Sequence, residues 1–495
     1  MENEKIEGLE ECMDFSISQY LEVRGDLTFK NDAFADTDAV IFCQCGYVRF
    51  DRMMESATDD MEKIDFSTRY KFSALRKKIL TSVEKKHEYM DVGLMNKKIP
   101  ELFLDAAKTE RFQNVEITGF ISKMENDKNP ENPEQFAAMT YILDEDTVCV
   151  VYRGTDDSIR GWKEDCNLAK SEAIPSQIEA RDYLSKAIDF FEGKRIFVAG
   201  HSKGGNIAMY ACAFVSEDRQ NKIEKLYNLD GPGFSTEILN SPEMLRMKNR
   251  LVSWYPHQSI VGMLFYHYPE GYNVVKSSAA LILQHDLATW RIQGKYPKKE
   301  KQLSELSNYL YRSFNEWYEN LPGDEKRAQF IDAVFSILEC SSKDTLSAMI
   351  GDVQVDLSSA IDGAKSKDKT FVRKSADTIS NIGKIIVEGS ENFIKSNIAM
   401  AKGTIELMKN EEQRKILIEL MTQLLKVQAN SARELIQEKK EELNELATVE
   451  SKNIQYDVMA NLSDAADIAK SAVDSAVESG KNIIDGLLGR ENKNA

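Results

Sequence analysis

A serine set between glycines, where a short strand gives way to a helix, is the pattern in this chain best suited to covalent chemistry. Residues 200–204 read Gly-His-Ser-Lys-Gly. The apolar run 194–199 (Lys-Arg-Ile-Phe-Val-Ala) precedes them, and 205–215 (Gly-Asn-Ile-Ala-Met-Tyr-Ala-Cys-Ala-Phe-Val) reads as a buried helix. Strand, G-x-S-x-G, helix is the context of a nucleophile elbow, in which small residues let the turn tighten until the serine stands exposed at its tip. The pentapeptide alone also arises by chance. With these flanks, Ser202 reads as a nucleophile rather than as part of a plain strand–helix turn.

A nucleophilic serine needs a base, a group that orients the base, and donors for the oxyanion. In α/β-hydrolases the order is serine, acid, histidine. Three histidines follow Ser202: His257, His267 and His285. His285 stands in Leu-Gln-His-Asp-Leu (283–287), after the strand-like run 271–276 and a short Ser-Ser-Ala-Ala-Leu loop, so it is the expected base. His267 lies in the aromatic run Phe-Tyr-His-Tyr-Pro (265–269) and reads as a packing or lid residue, with His257 as second choice. For the acid, Asp230 closes the run Tyr-Asn-Leu-Asp and precedes Gly-Pro-Gly (231–233). That position suits either a carboxylate at the sheet edge where Ser202 emerges or an aspartate capping a turn. Asp286 is next to His285 in the chain and badly placed to brace its ring. The oxyanion donors expected are the backbone N–H of Lys203 and Thr155, which follows the strand-ending Val-Val-Tyr-Arg-Gly of 150–154. The Lys203 side chain is read as solvated, in preference to a role in attracting anionic head groups.

The elements that position these residues are legible as an alternation. Runs at 114–124, 136–143, 147–153, 195–199, 226–229, 250–255 and 271–276 have strand character, the first three close enough for hairpins and the rest separated by helices or long loops. This is the rhythm of an α/β sheet with flanking helices. Residues 14–104 look mostly helical, with 26–34 forming a turn into a helix over 39–50.

Composition breaks near the end of this region. All ten prolines and all four tryptophans lie at or before Pro322. Beyond it run long helical patterns: Phe371, Ile382 and Phe393 are eleven apart, as are Leu462, Val473 and Ile484, with the charged segment 411–447 between. An eleven-residue repeat keeps one straight apolar stripe. The expected organisation is therefore a helical N-terminal part at 1–110, an α/β-hydrolase core at 111–345, and an all-α region at 346–495. The stripes within 365–495 fit peripheral membrane contact or self-association, and burial against protein is the commoner use of such faces.

A net charge of −17 argues against a nucleic-acid partner. Seven scattered cysteines fit reduced thiols in a cytosol, and Cys43-Gln-Cys45 lacks zinc-site spacing. No signal peptide and no run of eighteen apolar residues is evident, so a cytoplasmic protein is expected, at most peripheral to the inner face of the membrane. No metal and no cofactor are implied.

Together, Arg153-Gly154-Thr155, then Trp162 and Asp165, then Gly-His-Ser-Lys-Gly-Gly (200–205) resemble, in order and spacing, the class 3 (fungal-type) lipases. The stretch from Asp14 to about Leu346 also resembles a bacterial family of lipase-like hydrolases of uncertain substrate. Its marks here are Arg-Gly-Asp-Leu-Thr-Phe (24–29), Ser-Ile-Val-Gly-Met (259–263) and Gln-His-Asp (284–286) before Trp290. The resemblance covers about two thirds of the chain and implies a serine hydrolase acting on lipid acyl esters. One departure matters. Class 3 lipases carry the triad acid in an Asp-x-Val-Pro loop after the strand equivalent to 250–255, and Ser-Ile-Val-Gly (259–262) stands there, without a carboxylate. Asp230 resembles instead the Leu-Asp-Pro acid of pancreatic-type lipases, which favours it as the orienting acid. The alternatives are a Ser–His pair without carboxylate, and a hydrolysis-dead scaffold whose tail mediates interaction.

Overall fold

The computed structural model describes residues 15–82, 85–90, 98–123, 136–154, 173–279 and 284–320. They lie in the first of two units, Met1–Asp332 and Ala333–Ala495. The expected helical tail, Thr155, Trp162 and Asp165 fall outside the described residues.

Eight strands pair in chain order: β1 (Tyr70–Lys71), β2 (Glu116–Lys123), β3 (Phe136–Ile142), β4 (Thr147–Tyr152), β5 (Arg195–His201), β6 (Ile223–Leu229), β7 (Leu251–Pro256) and β8 (Tyr272–Val275). β1 to β4 are antiparallel neighbours, and β4 to β8 are parallel. Each of the seven runs expected as strands is one. The parallel strands are covered on both faces, which is why they read as unbroken apolar runs. Alternate residues nevertheless serve different layers: Cys149 and Val151 join one hydrophobic cluster, while Val148, Val150 and Tyr152 join the other.

The first cluster packs α1 (Ile17–Arg24), α2 (Asp36–Cys45), α3 (Phe72–Thr81) and α4 (Lys98–Ala106) against the sheet. The second packs α5 (Pro175–Phe190), α6 (Lys203–Phe214) and α7 (Pro242–Met247). A last helix, α8 (Glu305–Asn320), sets Phe314 edge-on to Phe265.

α2 starts and stops earlier than the expected helix over 39–50, and all ten of its residues are buried. Its acidic first turn reads as loop in the sequence because the donors that satisfy its carboxylates are remote. Arg111 donates from Nε (2.8 Å) and Nη2 (2.6 Å) to Asp38, with side-chain exposures of 1% and 0%. Trp254 Nε1 donates to Asp36 at 2.9 Å, and the Ala35 N–H, an orphan donor at the helix start, donates to Asp38 at 2.9 Å. The segment 24–29 is structural too. Arg24 pairs with Asp32 at 2.5 Å, and Phe29 lies under the Arg111 guanidinium, 4.1 Å from its ring centre.

Cys43, Cys45, Cys149 and Cys212 are free and buried, and burial pushes each thiol up, away from reactivity. No helix among the described residues is long and apolar enough to cross a membrane.

Candidate active site

The turn at Ser202 is built by backbone crowding. β5 ends at His201, α6 begins at Lys203, and Ser202 between them has φ 59° and ψ −135°. A positive φ is uncommon for a residue with a side chain and costs on the order of 1–3 kcal/mol. It is sustained here by tight crossings that only glycine permits. A Cβ on Gly200 would meet Gly204 O at 2.0 Å, and one on Gly204 would meet Tyr152 O at 2.2 Å. Backbone bonds lock the result: Ser202 N–H donates to Leu229 O at 3.0 Å, and Gly205 N–H to Ser202 O at 2.8 Å. Ser202 thus occupies the N-cap position of a twelve-residue helix, where the helix dipole favours negative charge.

Asp230 follows the last residue of β6, two strands from the β4 end that carries Gly154. It is completely buried, with φ 50° and its N–H donated to Trp254 O at 2.8 Å. Its carboxylate is held on both sides. His285 Nδ1 lies 2.6 Å from Oδ2, and Ser259 Oγ donates to Oδ1 at 2.5 Å. Since a carboxylate only accepts, Nδ1 carries the hydrogen and His285 Nε2 is left with a lone pair. The loop after Asp230 is fixed by Asn228 Oδ1, which accepts the Gly231 N–H at 3.0 Å, and by Asn206 Nδ2, which donates to Gly233 O at 2.7 Å.

The structure brings the loops bearing His285 and Asp230 to the end of β5 where Ser202 turns. The ring of His201 lies 4.5 Å from that of His285, and His201 Nε2 bonds the His285 carbonyl at 2.8 Å. Ser202 Oγ makes no hydrogen bond to His285 among the described residues. The end of β4 also reaches the serine. A Cβ placed on Gly154 would meet Ser202 Cβ at 2.9 Å and Tyr47 Oη at 2.6 Å, so Thr155 follows directly on a residue in contact with Ser202.

The other candidates are engaged elsewhere. Asp286 Oδ1 accepts from Gln44 Nε2 at 3.1 Å and caps the turn at Ala288 N–H, 2.9 Å away. His257 Nδ1 donates to Gln302 O at 2.7 Å. His267 is buried among Tyr255, Tyr272 and Tyr311, and burial holds it below the usual histidine range. Lys203 departs from expectation: it is 1% exposed, not solvated, at the start of α6, whose next two residues pack closely against the ends of β4 and β6. Sequence reasoning also missed Ser259 as a donor to Asp230. In the sequence Ser259 marks only a missing carboxylate, and a hydroxyl in that loop signals nothing until the fold sets it beside Asp230. His201 is visible in the sequence only as a letter of the elbow motif, with no role attached, and Tyr47 carries no signal. Among the described residues no cluster of three His, Cys, Asp or Glu side chains is arranged to hold a metal ion.

Residues 106–336 match the family described as Mbeg1-like. No curated protein matches the sequence. Among solved structures, a fungal lipase in complex with an inhibitor is 15% identical, with 36% of this chain and 77% of that one covered and a TM-score of 0.23. The Rhizomucor miehei lipase–propeptide complex is 16% identical, with 42% and 67% covered and a TM-score of 0.27. Likenesses of that size carry no assignment of activity, which must rest on the site itself.

Proposed function

We propose that the protein is a serine hydrolase of the lipase/esterase type that cleaves acyl esters through an acyl-enzyme on Ser202. The observation that carries the reading is the contact of His285 Nδ1 with the fully buried Asp230 carboxylate at 2.6 Å, beside a serine in a strained turn at the head of a helix. No ordinary packing role calls for all three.

The steps follow from the chemistry of the groups. His285 Nε2 takes the proton from Ser202 as Oγ attacks the ester carbonyl, and it later returns that proton to the departing alcohol. Asp230 keeps Nδ1 protonated and stabilises the imidazolium. The oxyanion is met by the Lys203 N–H at the start of α6 and by Thr155. Water, activated by the same imidazole, then releases the acid. Lipid acyl esters, phospholipids included, are the favoured substrates, on the resemblance of Arg153-Gly154-Thr155 and Gly-His-Ser-Lys-Gly to class 3 lipases.

The rival reading is a catalytically dead scaffold of the same fold, which would keep these residues without turning over an ester. A fluorophosphonate probe separates the two: a hydrolase is labelled at Ser202, and a scaffold is not. We further propose residues 365–495 as a peripheral membrane or self-association element.

A further inference from the structure

We propose that His201, the residue before Ser202, is a positioning residue that fixes His285 by donating a hydrogen bond to its backbone carbonyl, with Tyr47 setting the tautomer that makes this possible. The inference rests on the reading of Ser202 and His285 as nucleophile and base.

The tautomer follows from the partners. The His285 carbonyl can only accept, so the hydrogen sits on His201 Nε2, 2.8 Å away. Nδ1 of the neutral ring then accepts from the Tyr47 hydroxyl at 2.9 Å. Burial, and then the neighbouring His285, hold His201 well below the usual histidine range, so the ring is neutral and this tautomer is the only one that satisfies both contacts. Neutrality matters with the two rings 4.5 Å apart, because a charged His201 would oppose the imidazolium forming on His285.

Several hydrogen bonds hold the turn that carries His285, among them the Gln258–Gln284 pair at 2.8 and 3.2 Å and the contact of His285 Nδ1 with Asp230 at 2.6 Å. Trp290 Nε1 donates to Gln284 O at 2.9 Å, which closes the turn on itself. Gln44 Nε2 donates to Asp286 at 3.1 Å, which anchors it to α2. Of these bonds, the one from His201 runs to β5, the strand that leads into Ser202. It therefore sets the register between the base-bearing turn and the nucleophile-bearing strand. A displacement of about 1 Å in such a register can cost a hundredfold in rate.

The test uses the full chain and the variants His201→Phe, His201→Gln and Tyr47→Phe. Two readouts are followed: the ring nitrogen-15 shifts of His285, which report its hydrogen bonding without any need for activity, and the kinetics of ester turnover and of Ser202 phosphonylation. His201→Phe keeps the flat ring and loses the donor. It should alter the His285 shifts and lower kcat by about ten- to a hundredfold with KM within about threefold. His201→Gln keeps an N–H donor and should restore the shifts and bring kcat to within about fivefold of wild type. If either readout is unchanged in His201→Phe, or if His201→Gln is as impaired as His201→Phe, the proposal is overturned. Should the wild-type protein neither turn over esters nor label, the catalytic reading fails, and the His285 shifts alone decide the positioning claim. Should His201→Phe not fold, Tyr47→Phe takes its place. Loss of the tautomer lock should shift the His285 resonances, and unshifted resonances would overturn the proposal.

Discussion

Asparagine at position 230 keeps the shape of the aspartate and removes its charge, so it isolates what the carboxylate does for His285. In the wild type, both oxygens accept, one from Ser259 Oγ at 2.5 Å and one from His285 Nδ1 at 2.6 Å. The variant amide has two ways to fit, because the Ser259 hydroxyl can turn and accept. With its oxygen towards His285, the tautomer survives and only the charge assistance is lost. That contact is worth about 2–3 kcal/mol at a buried carboxylate, or roughly 30- to 150-fold in kcat. With its NH2 towards His285, the ring is driven into the wrong tautomer, and the loss approaches roughly ten-thousandfold. The expected fall in kcat is therefore between about 30-fold and about ten-thousandfold, with KM little changed, since the side chain is fully buried. Turnover of p-nitrophenyl esters of graded chain length by Asp230→Asn, with thermal unfolding as a folding control, measures it. Retention of more than half the wild-type kcat, while His285 and Ser202 variants are inactive, would refute the role and leave a Ser–His pair.

Three further outcomes are expected. Thr155→Val keeps side-chain size and removes a hydroxyl, so kcat should fall by about ten- to a thousandfold if that group donates to the oxyanion; an unchanged kcat would leave the role to backbone N–H groups. His201 and His267 are buried with lowered affinity for protons, so the unfolded chain binds protons that the folded one does not as pH drops below the usual histidine value of 6.5. Folding stability should then decline by up to about 1.4 kcal/mol per pH unit for each group, and a denaturant series from pH 7.5 to about pH 5 should show a shallower decline in His201→Gln. Deletion of residues 365–495 should abolish liposome flotation and leave soluble-ester turnover intact if the tail binds membranes. The segment 371–409 carries six Lys and Arg against four Asp and Glu, whereas 462–488 carries two against five. Anionic vesicles should therefore bind through the former, and a full-length protein that floats with neither anionic nor neutral vesicles has a packing or oligomerisation device instead.

The sheet was legible in the sequence because strands covered on both faces leave continuous apolar runs, as at 147–153 and 195–199. What escaped was whatever depends on remote partners. Asp36 and Asp38 read as turn residues because nothing local says that the Trp254 indole will donate to the first and Arg111 will neutralise the second. β1 has only two residues, too few for any periodicity. Lys203 read as solvated because a lysine ordinarily is, and its burial accompanies the close packing of the start of α6 against the ends of β4 and β6. Ser202, Asp230 and His285 could be singled out because each stands at a strand end or in a loop with few competitors. Ser259 and Tyr47 could not, and the role of His201 within its motif could not, since a hydroxyl or a ring becomes informative only once the fold supplies its neighbour.

The most direct measurement is the site of covalent labelling. The intact protein is treated with a fluorophosphonate, the mass shift is recorded, and the modified peptide is mapped, alongside Ser202→Ala. That substitution removes one hydroxyl from a turn fixed by backbone bonds, so the variant should fold as the wild type does. The account predicts one label per chain, on Ser202, with label and ester turnover both absent from Ser202→Ala. A folded wild-type protein that takes no label, or a Ser202→Ala variant that still hydrolyses esters at more than a few per cent of the wild-type rate, would contradict it.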